Sequence, residues 1–142
     1  MVIRKLKKED AHEIVKIYGA ITMKPVSDDF KRVVEDHAQR DDQACFVAEH
    51  DGKVTGFMIS YILTAGFGMP KSAWIATLGV DPNFMGQGIG ASLAEEIFKF
   101  YKDQGIENVY TSVRWDSTDM LSFFKTLGFD RSNFINLRKI IK

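Results

Sequence analysis

The sequence contains very little that would cross-link the chain, interrupt it or give it a net charge. It has one cysteine, three prolines and three histidines in 142 residues. Lys and Arg together number 19, as do Asp and Glu, so the formal net charge is zero. A single cysteine excludes an internal disulfide, and a neutral chain has no overall field that attracts nucleic acid or an anionic membrane. We therefore expect neither nucleic acid nor a membrane among its partners.

Long apolar runs are also missing. The first eight residues carry no apolar stretch of the kind that marks a secretory signal, and no later stretch is long enough to span a bilayer. The expectation is a cytoplasmic protein. The single cysteine, Cys45, lies in the apolar run 44–48, which favours a buried strand residue over a nucleophile. The histidines are scattered without metal-ligand spacing, so no metal site is predicted.

The length and an ordinary composition, 45% hydrophobic and 27% charged, predict one domain over residues 1–142 with its own core. Hydrophobic periodicity predicts ten elements in the order β-α-α-β-β-β-α-β-α-β. Asp51-Gly52 predicts a tight hairpin turn, so the middle of the chain is an antiparallel meander in an α/β (α+β) fold. Strands are predicted over 2–6, 44–49, 53–64, 73–80, 109–113 and 134–141, and helices over 8–21, 28–37, 89–101 and 120–127.

The most informative segment joins the strand at 73–80 to the helix that begins at residue 89. Gly86, Gly88 and Gly90 alternate there, and no capping side chain precedes the helix. Glycines let the backbone turn tightly and let a ligand approach the amides. The first N–H groups of a helix have no partner within the helix, and the helix dipole favours an anion beside them. The loop therefore predicts a phosphate or pyrophosphate site.

Two other phosphate-binding motifs fit this loop poorly. Gly86-x-Gly88-x-x-Ala91 satisfies the dinucleotide fingerprint, but that fingerprint belongs in a βαβ unit whose second strand ends in an acid. Here an antiparallel meander precedes the loop, and the strand that follows the helix ends in Val113 and Arg114. A P-loop is excluded because no Gly-Lys-Ser/Thr follows the glycines.

The segment resembles motif A of the GNAT superfamily of N-acetyltransferases, which runs Val-x-Pro and then Arg/Gln-x-x-Gly-x-Gly/Ala. Val80, Pro82, Gly88 and Gly90 match this pattern, and Met85 stands where the family usually has Arg or Gln. The element order resembles the GNAT fold over nearly the whole chain. The resemblance implies a mixed central sheet of about six to seven strands flanked by four helices, and acetyl-CoA as cosubstrate.

The second family motif, Asn-x-x-Ala-x-x-x-Tyr-x-x-x-Gly-Phe, is matched more loosely. Gly128 and Phe129 match in place, whereas Ser117 stands for Asn, Met120 for Ala and Phe124 for Tyr. In many relatives that Tyr is thought to protonate the departing thiolate, a role that Phe124 cannot fill. A thiol with a pKa of about 8.5 needs little acid help to leave. Phe124 is instead expected to pack in the core and touch the pantetheine arm.

The resemblance also implies a set of site residues. A backbone N–H within residues 78–80 is expected to hold the tetrahedral oxyanion, at a β-bulge that Gly79 would permit. Asp116 is the first candidate for the general base, and Glu49 is the second. The implied cofactor-binding residues are Leu78, Gly79, Val80, Met85, Gly86, Gln87, Gly88, Ile89, Gly90, Ala91, Ser117 and Phe124.

The function implied is an acetyl-CoA-dependent N-acetyltransferase, in which a neutral amine attacks the thioester directly. The alternative is a module that binds or senses acetyl-CoA without catalysis, which the departures at Met85 and Phe124 favour. The sequence does not identify the amine, and small-molecule and protein amines both fit. A homodimer is common in the resembling family, and the long third strand or the C-terminal strand offers it an edge. The candidate acceptor-side residues are Tyr18, Lys24, Asp28, Asp29 and Phe67, with the loop 66–71.

Overall fold

The computed structural model describes residues 1–64 and 68–142. Phe67 and the first part of the predicted loop 66–71 therefore lie outside the described residues. The strands are β1 (Val2–Lys5), β2 (Cys45–His50), β3 (Lys53–Leu63), β4 (Ser72–Val80) and β5 (Val109–Thr111). The α-helices are α1 (Ala11–Thr22), α2 (Asp28–Ala38), α3 (Ile89–Asp103) and α4 (Thr118–Thr126), and short 3₁₀ turns lie at Lys8–Asp10 and Pro82–Phe84.

The five strands form one mixed sheet in the order β1-β2-β3-β4-β5. The first four pair antiparallel and β4 pairs parallel with β5, which confirms the predicted meander and crossover. The turn between β2 and β3 has positive φ at both Asp51 and Gly52, at 51° and 79°. Two such residues are what the tightest hairpin turn requires, so the Asp-Gly signal in the sequence is confirmed.

The helices cover the two faces of the sheet as two separate apolar clusters. On one face α1 and α2 bury Ile14 and Val34 completely, and on the other α3 buries Leu93 and Ile97 completely. We call these the α1 face and the α3 face. Val33 precedes Val34 in the same helix but does not face the sheet. It is 46% exposed because the helical turn that buries Val34 points its neighbour away from the sheet.

A buried hydroxyl network ties α3 to the centre of the sheet. The Tyr101 hydroxyl accepts the Ala44 N–H at 3.0 Å. Ser60 Oγ donates to the Ala44 carbonyl, so the 2.7 Å contact between the two hydroxyls is a bond that Tyr101 donates. All these groups are buried, and each bond therefore satisfies a polar atom that water cannot reach.

The prediction of a strand over 134–141 was wrong for the chain by itself. Among the described residues the sheet has five strands, and residues 134–141 form no ladder. Their apolar alternation is typical of a strand, but a strand exists only where a neighbour satisfies its backbone N–H and C=O groups. The sheet is correspondingly smaller than the six to seven strands expected.

Candidate active site

The parallel strands β4 and β5 are paired for only three residues and then separate. Ala73 pairs with Val109 and Ile75 pairs with Thr111, whose Oγ1 also donates to the Ile75 carbonyl at 3.0 Å. Strand β4 continues to Val80, whereas β5 ends at Thr111. The last five residues of β4 therefore have no strand beside them on the β5 side, among the residues described. We call this opening the β4–β5 slot.

A β-bulge lies at the point where the slot opens. Ile75 pairs with Ser60 and Thr77 pairs with the next residue of β3, Ile59, so Ala76 is the extra residue. The bulge was predicted at Gly79, and this was wrong. Gly79 pairs regularly with Phe57, and its lack of a side chain has another cause. A Cβ at Gly79 would lie 2.8 Å from the ring of Phe57.

The ladder determines which β4 amides face the slot. The N–H of Asp81 donates to the Thr55 carbonyl at 2.8 Å, so these two residues form a hydrogen-bonded pair of the antiparallel ladder. Such pairs recur at every second residue, so the polar backbone groups of Gly79 also point to β3. Those of Leu78 and Val80 point the other way, into the slot. Within the predicted range 78–80, the amides of Leu78 and Val80 therefore have no partner on β3, whereas the Gly79 amide bonds to β3.

The glycine loop lies between the end of β4 and the start of α3. Gly86 and Gly88 have φ of 82° and 75°, and a Cβ at either would have no neighbour within 4 Å. Gly88 is the N-cap of α3 and provides no capping side chain, and the first turn contains no acid. The first amides of the helix thus face open space with no side chain satisfying them, which is the arrangement that binds a phosphate.

The start of α3 is packed against α4. A Cβ at Gly90 would lie 3.1 Å from the ring of Phe123, so the glycine allows close contact between the two helices. Phe124 is 4% exposed and packs edge-on against Phe123 and Phe129 on the α3 face. The prediction that Phe124 packs in the core is confirmed, and its contact with a pantetheine arm stays a prediction. Ser117 is the N-cap residue of α4, but its side chain makes no capping bond.

Both candidate bases are held by arginines. Arg114 Nε and Nη2 donate to the two oxygens of Asp116, each at 2.9 Å. These hydrogen bonds lower the pKa of Asp116 below its usual value, which works against a role as general base. Glu49 accepts a hydrogen bond from Arg4, which also binds Asp10 with two nitrogens. Glu49 therefore supports the start of the sheet.

An aromatic row crosses the α1 face beside the slot. Tyr61 pairs with Trp74 across β3 and β4, and Trp74 stacks on Tyr110 of β5 with ring centroids 4.8 Å apart. The row lies two residues before the bulge at Ala76. We did not predict it from the sequence, although residues at alternate strand positions share a face. Neither helix-covered apolar cluster includes these three residues.

The predicted acceptor-side residues that the structure describes lie on α1, on α2 and in the turn between them. Tyr18 stacks on Phe30 at a centroid distance of 4.3 Å and so packs α1 against α2. Asp28 and Asp29 lie in the first turn of α2, where Asp29 lies 3.8 Å from Arg32. Lys24 is exposed in the turn between the helices.

Residues 1–64 and 68–142 contain no group of three His, Cys, Asp or Glu side chains placed to hold a metal ion. None of their helices has the length and apolarity that a membrane crossing requires.

The parallel strands β4 and β5, which separate after Thr111, and the glycine loop before α3 are the features on which the resemblance to acetyltransferases depends. The profile of the Acetyltransferase (GNAT) family matches residues 11–129. The chain therefore belongs to this family.

Curated relatives agree with this assignment. A mycothiol acetyltransferase of Amycolatopsis mediterranei is 30% identical over 116 residues, which are 80% of this chain and 37% of the relative. An uncharacterized N-acetyltransferase of Methanocaldococcus jannaschii is 30% identical over 100 residues, 68% of this chain and 43% of that protein. The chain thus spans less than half the length of these relatives.

Solved structures show the same fold. An aminoglycoside acetyltransferase from an uncultured soil metagenomic sample, in complex with sisomicin, has a TM-score of 0.79 at 22% identity, over 99% of this chain and 96% of that chain. The aminoglycoside acetyltransferase AAC(6')-Iy, bound to a CoA bisubstrate analogue, has a TM-score of 0.80 at 20% identity, over 99% of this chain and 98% of that chain.

Proposed function

We propose that the chain is an acetyl-CoA-dependent N-acetyltransferase that transfers the acetyl group to a primary amine by direct attack. The observation that carries the proposal is the β4–β5 slot. It combines unpaired β4 amides, an adjoining bulge and a glycine loop that begins a helix. Those features offer one continuous path for a pyrophosphate with an extended arm.

The cosubstrate is placed from the loop inward. The pyrophosphate lies on the first amides of α3, where Gly86 and Gly88 leave open space. The pantetheine arm then runs along the β4 edge and bonds the backbone of Val80 and the Leu78 carbonyl as an added strand would. From Val80 to Ala76 this path is about 13 Å at the usual rise of a strand. The thioester therefore lies between Leu78 and the bulge at Ala76, within reach of the Leu78 N–H.

The reaction is an acyl transfer through a tetrahedral intermediate. The lone pair of a neutral amine attacks the thioester carbon, and the carbonyl oxygen becomes an oxyanion. The Leu78 N–H, which points into the slot, donates to that oxyanion in place of the Gly79 N–H that β3 uses. When the intermediate collapses, the carbon–sulfur bond breaks and CoA leaves as the thiolate. The nitrogen then loses its extra proton, which balances the charge on the thiolate.

The acceptor must be deprotonated before it attacks. At pH 7 neutralising a lysine amine costs about 4–5 kcal/mol, whereas an α-amine with a pKa near 7.8 costs about 1 kcal/mol. The salt bridge with Arg114 makes Asp116 a weak base, so we propose that the amine loses its proton to solvent. This favours acceptors of low amine pKa. The role of Asp116 as a base stays a prediction, which the turnover of the Asp116→Asn variant across the pH range can test.

The acceptor approaches from the α1 face, over the aromatic row. Trp74 and Tyr110 form a wall beside the bulge where the thioester is placed. The names of the relatives point to small-molecule amines, and we propose this class as the acceptor. A protein amine is the second candidate.

Calorimetry and thiol release test the proposal in two stages. We expect micromolar binding of acetyl-CoA and none of NAD, and failure to bind acetyl-CoA would exclude the whole assignment. Release of CoA thiol is then measured against a panel of α-amines, aryl-alkyl amines, aminoglycosides and lysine peptides. Binding without amine-dependent release in any member would favour the sensor alternative.

A further inference from the structure

The β4–β5 slot ends at a hydrogen bond between a side chain and the backbone. Thr111, the last residue of β5, pairs with Ile75, and its Oγ1 donates to the Ile75 carbonyl at 3.0 Å. Behind this pair the two strands stay joined, because the Ala73 N–H donates to the Asn108 carbonyl at 3.1 Å. The slot is therefore closed at the Ile75–Thr111 pair.

The strand β4 bends directly beyond this pair. Ala76 follows Ile75 and is the extra residue of the β-bulge. A bulge bends its strand and increases the local twist. Within the described part of the chain, the ladder between β4 and β5 has no further pair after Ile75 and Thr111. The Thr111 hydroxyl and the bulge together determine how far the slot reaches between the strands.

Apolar side chains of the protein itself flank the slot on the α3 face. Phe124 is buried in the α3-face cluster, and Leu78 and Val113 pack against that cluster. Leu78 belongs to β4, and Val113 follows the end of β5. A group that enters the slot therefore has the apolar cluster on its α3 side and the Ile75–Thr111 pair ahead of it.

We propose that the Ile75–Thr111 pair limits the length of the acyl group that the protein transfers, which makes Thr111 a specificity-determining residue. This inference rests on the proposed function. The pantetheine arm runs from Val80 towards Ala76, so the acyl group lies at the leading end of the arm and points to the closed end of the slot. The slot then admits acyl groups of two or three carbons and excludes longer ones.

The available length follows from the geometry of a strand. Thr77 lies midway between Leu78 and Ala76, where the thioester is placed, and is two residues from Ile75, or about 6.6 Å at the usual rise. Carbon atoms that are not bonded stay about 3.5–4.0 Å apart, which leaves about 3 Å beyond the thioester carbon. That length holds two bonds of about 1.5 Å. An acetyl group needs one such bond and a propionyl group needs two, whereas a butyryl group needs a third.

A longer acyl chain has no other direction in which to extend without loss of activity. The cluster around Phe124 occupies the α3 side. A chain that turned to the α1 face would lie over Trp74 and Tyr110, on the proposed path of the acceptor amine. Such a chain would keep the nucleophile away from the thioester carbon. Both directions therefore favour short acyl groups.

A series of acyl-CoA esters tests the predicted length. We expect kcat/KM for butyryl-CoA to be about 10–200-fold below that for acetyl-CoA, which is the range for one excess methylene in a closed pocket, and propionyl-CoA to be close to acetyl-CoA. If no amine is acetylated, calorimetric affinities of the three esters provide the same comparison. Equal values for acetyl-CoA and butyryl-CoA would overturn this inference alone. Absence of acetyl-CoA binding would overturn the proposed function as well.

Substitution of Thr111 tests whether the selectivity depends on this residue. Thr111→Ala removes the hydroxyl donor and a methyl group, so the slot deepens and butyryl-CoA should gain about tenfold relative to acetyl-CoA. Thr126→Ala is the matched control and should keep the parent's ratio, because the exposed Thr126 also donates its Oγ1 hydrogen to a backbone carbonyl, that of Phe123 on α4. The ratio of two esters in one preparation does not depend on the fraction of folded protein. An unchanged ratio in Thr111→Ala would overturn the role of the Ile75–Thr111 pair.

Discussion

The ring of Phe57 on β3 occupies the space that a side chain on Gly79 would need. A Cβ at Gly79 would lie 2.8 Å from Phe57 Cε1 and 2.8 Å from Ile21 Cδ1. Gly79→Ala should therefore destabilise the fold by about 1–3 kcal/mol through overpacking. Urea unfolding measures the loss, and Ala76→Ser, at an exposed position of the same strand, should change stability by less than about 0.5 kcal/mol. Equal stability of Gly79→Ala and the parent would show that Phe57 and Ile21 move aside without a cost in free energy.

Gly88 and Gly105 lie at opposite ends of α3 and provide a matched pair. Both have φ of 75° and open space around a Cβ. Alanine at either position should cost about 1–2 kcal/mol of stability, since left-handed backbone is strained for residues with a side chain. In Gly88→Ala the methyl also enters the proposed phosphate site, so acetyl-CoA affinity should fall about tenfold, or 1.4 kcal/mol. Calorimetry that finds the same affinity in both variants would place the cosubstrate elsewhere.

We expect substitutions of Trp74 to weaken binding of the acceptor amine and to leave binding of acetyl-CoA unchanged. Its indole N–H is buried with no hydrogen-bond partner among the described residues. Trp74→Phe keeps an aromatic ring and removes the orphan donor, so it should be as stable as the parent or more stable. Trp74→Leu should raise the KM for the amine about tenfold, equivalent to 1.4 kcal/mol, with acetyl-CoA affinity unchanged. An unaltered amine KM in the leucine variant would remove the aromatic row from the acceptor site.

The pH dependence of turnover tests the role of Asp116. Arg114 lowers its pKa below 3.8, so the carboxylate is ionised across the assay range of about pH 6 to 9. Any rise in rate with pH there should follow the amine, and Asp116→Asn should keep that profile. Any stability that the Asp116–Arg114 pair contributes is fully present above the pKa that Asp116 has in the unfolded chain. It is lost as the pH falls through the lower pKa that Asp116 has in the folded protein. A fall in turnover of about 100-fold or more at every pH in Asp116→Asn would instead identify this carboxylate as the base.

Tyr101→Phe should destabilise the protein without touching the site. It leaves the buried Ala44 N–H without its acceptor, which costs about 1–3 kcal/mol. Tyr18→Phe is the control, because the Tyr18 hydroxyl makes no hydrogen bond within residues 1–64 and 68–142 and its ring stack on Phe30 persists. Thermal unfolding of the two variants at one pH gives the comparison. Similar midpoints would mean that water or a local shift satisfies the Ala44 amide.

The sequence by itself determined the features that depend on near neighbours. Asp51-Gly52 forms its hairpin and Gly86 and Gly88 turn the loop into α3, because positive φ is a property of single residues. Ser27 caps α2 by accepting the Phe30 N–H, again within four residues. The same locality is why the order of the first nine predicted helices and strands was predictable from periodicity.

Tertiary structure decided what depends on partners distant in sequence. The register of β3 against β4 put the bulge at Ala76 and turned the amides of Leu78 and Val80 toward the slot, which no pattern within β4 reveals. The side chain of Arg114 binds both oxygens of Asp116 and lowers its pKa, a contact that the sequence pattern did not predict. Residues 134–141 alternate like a strand and form none, because a strand is completed only by a neighbour that the alternation cannot supply.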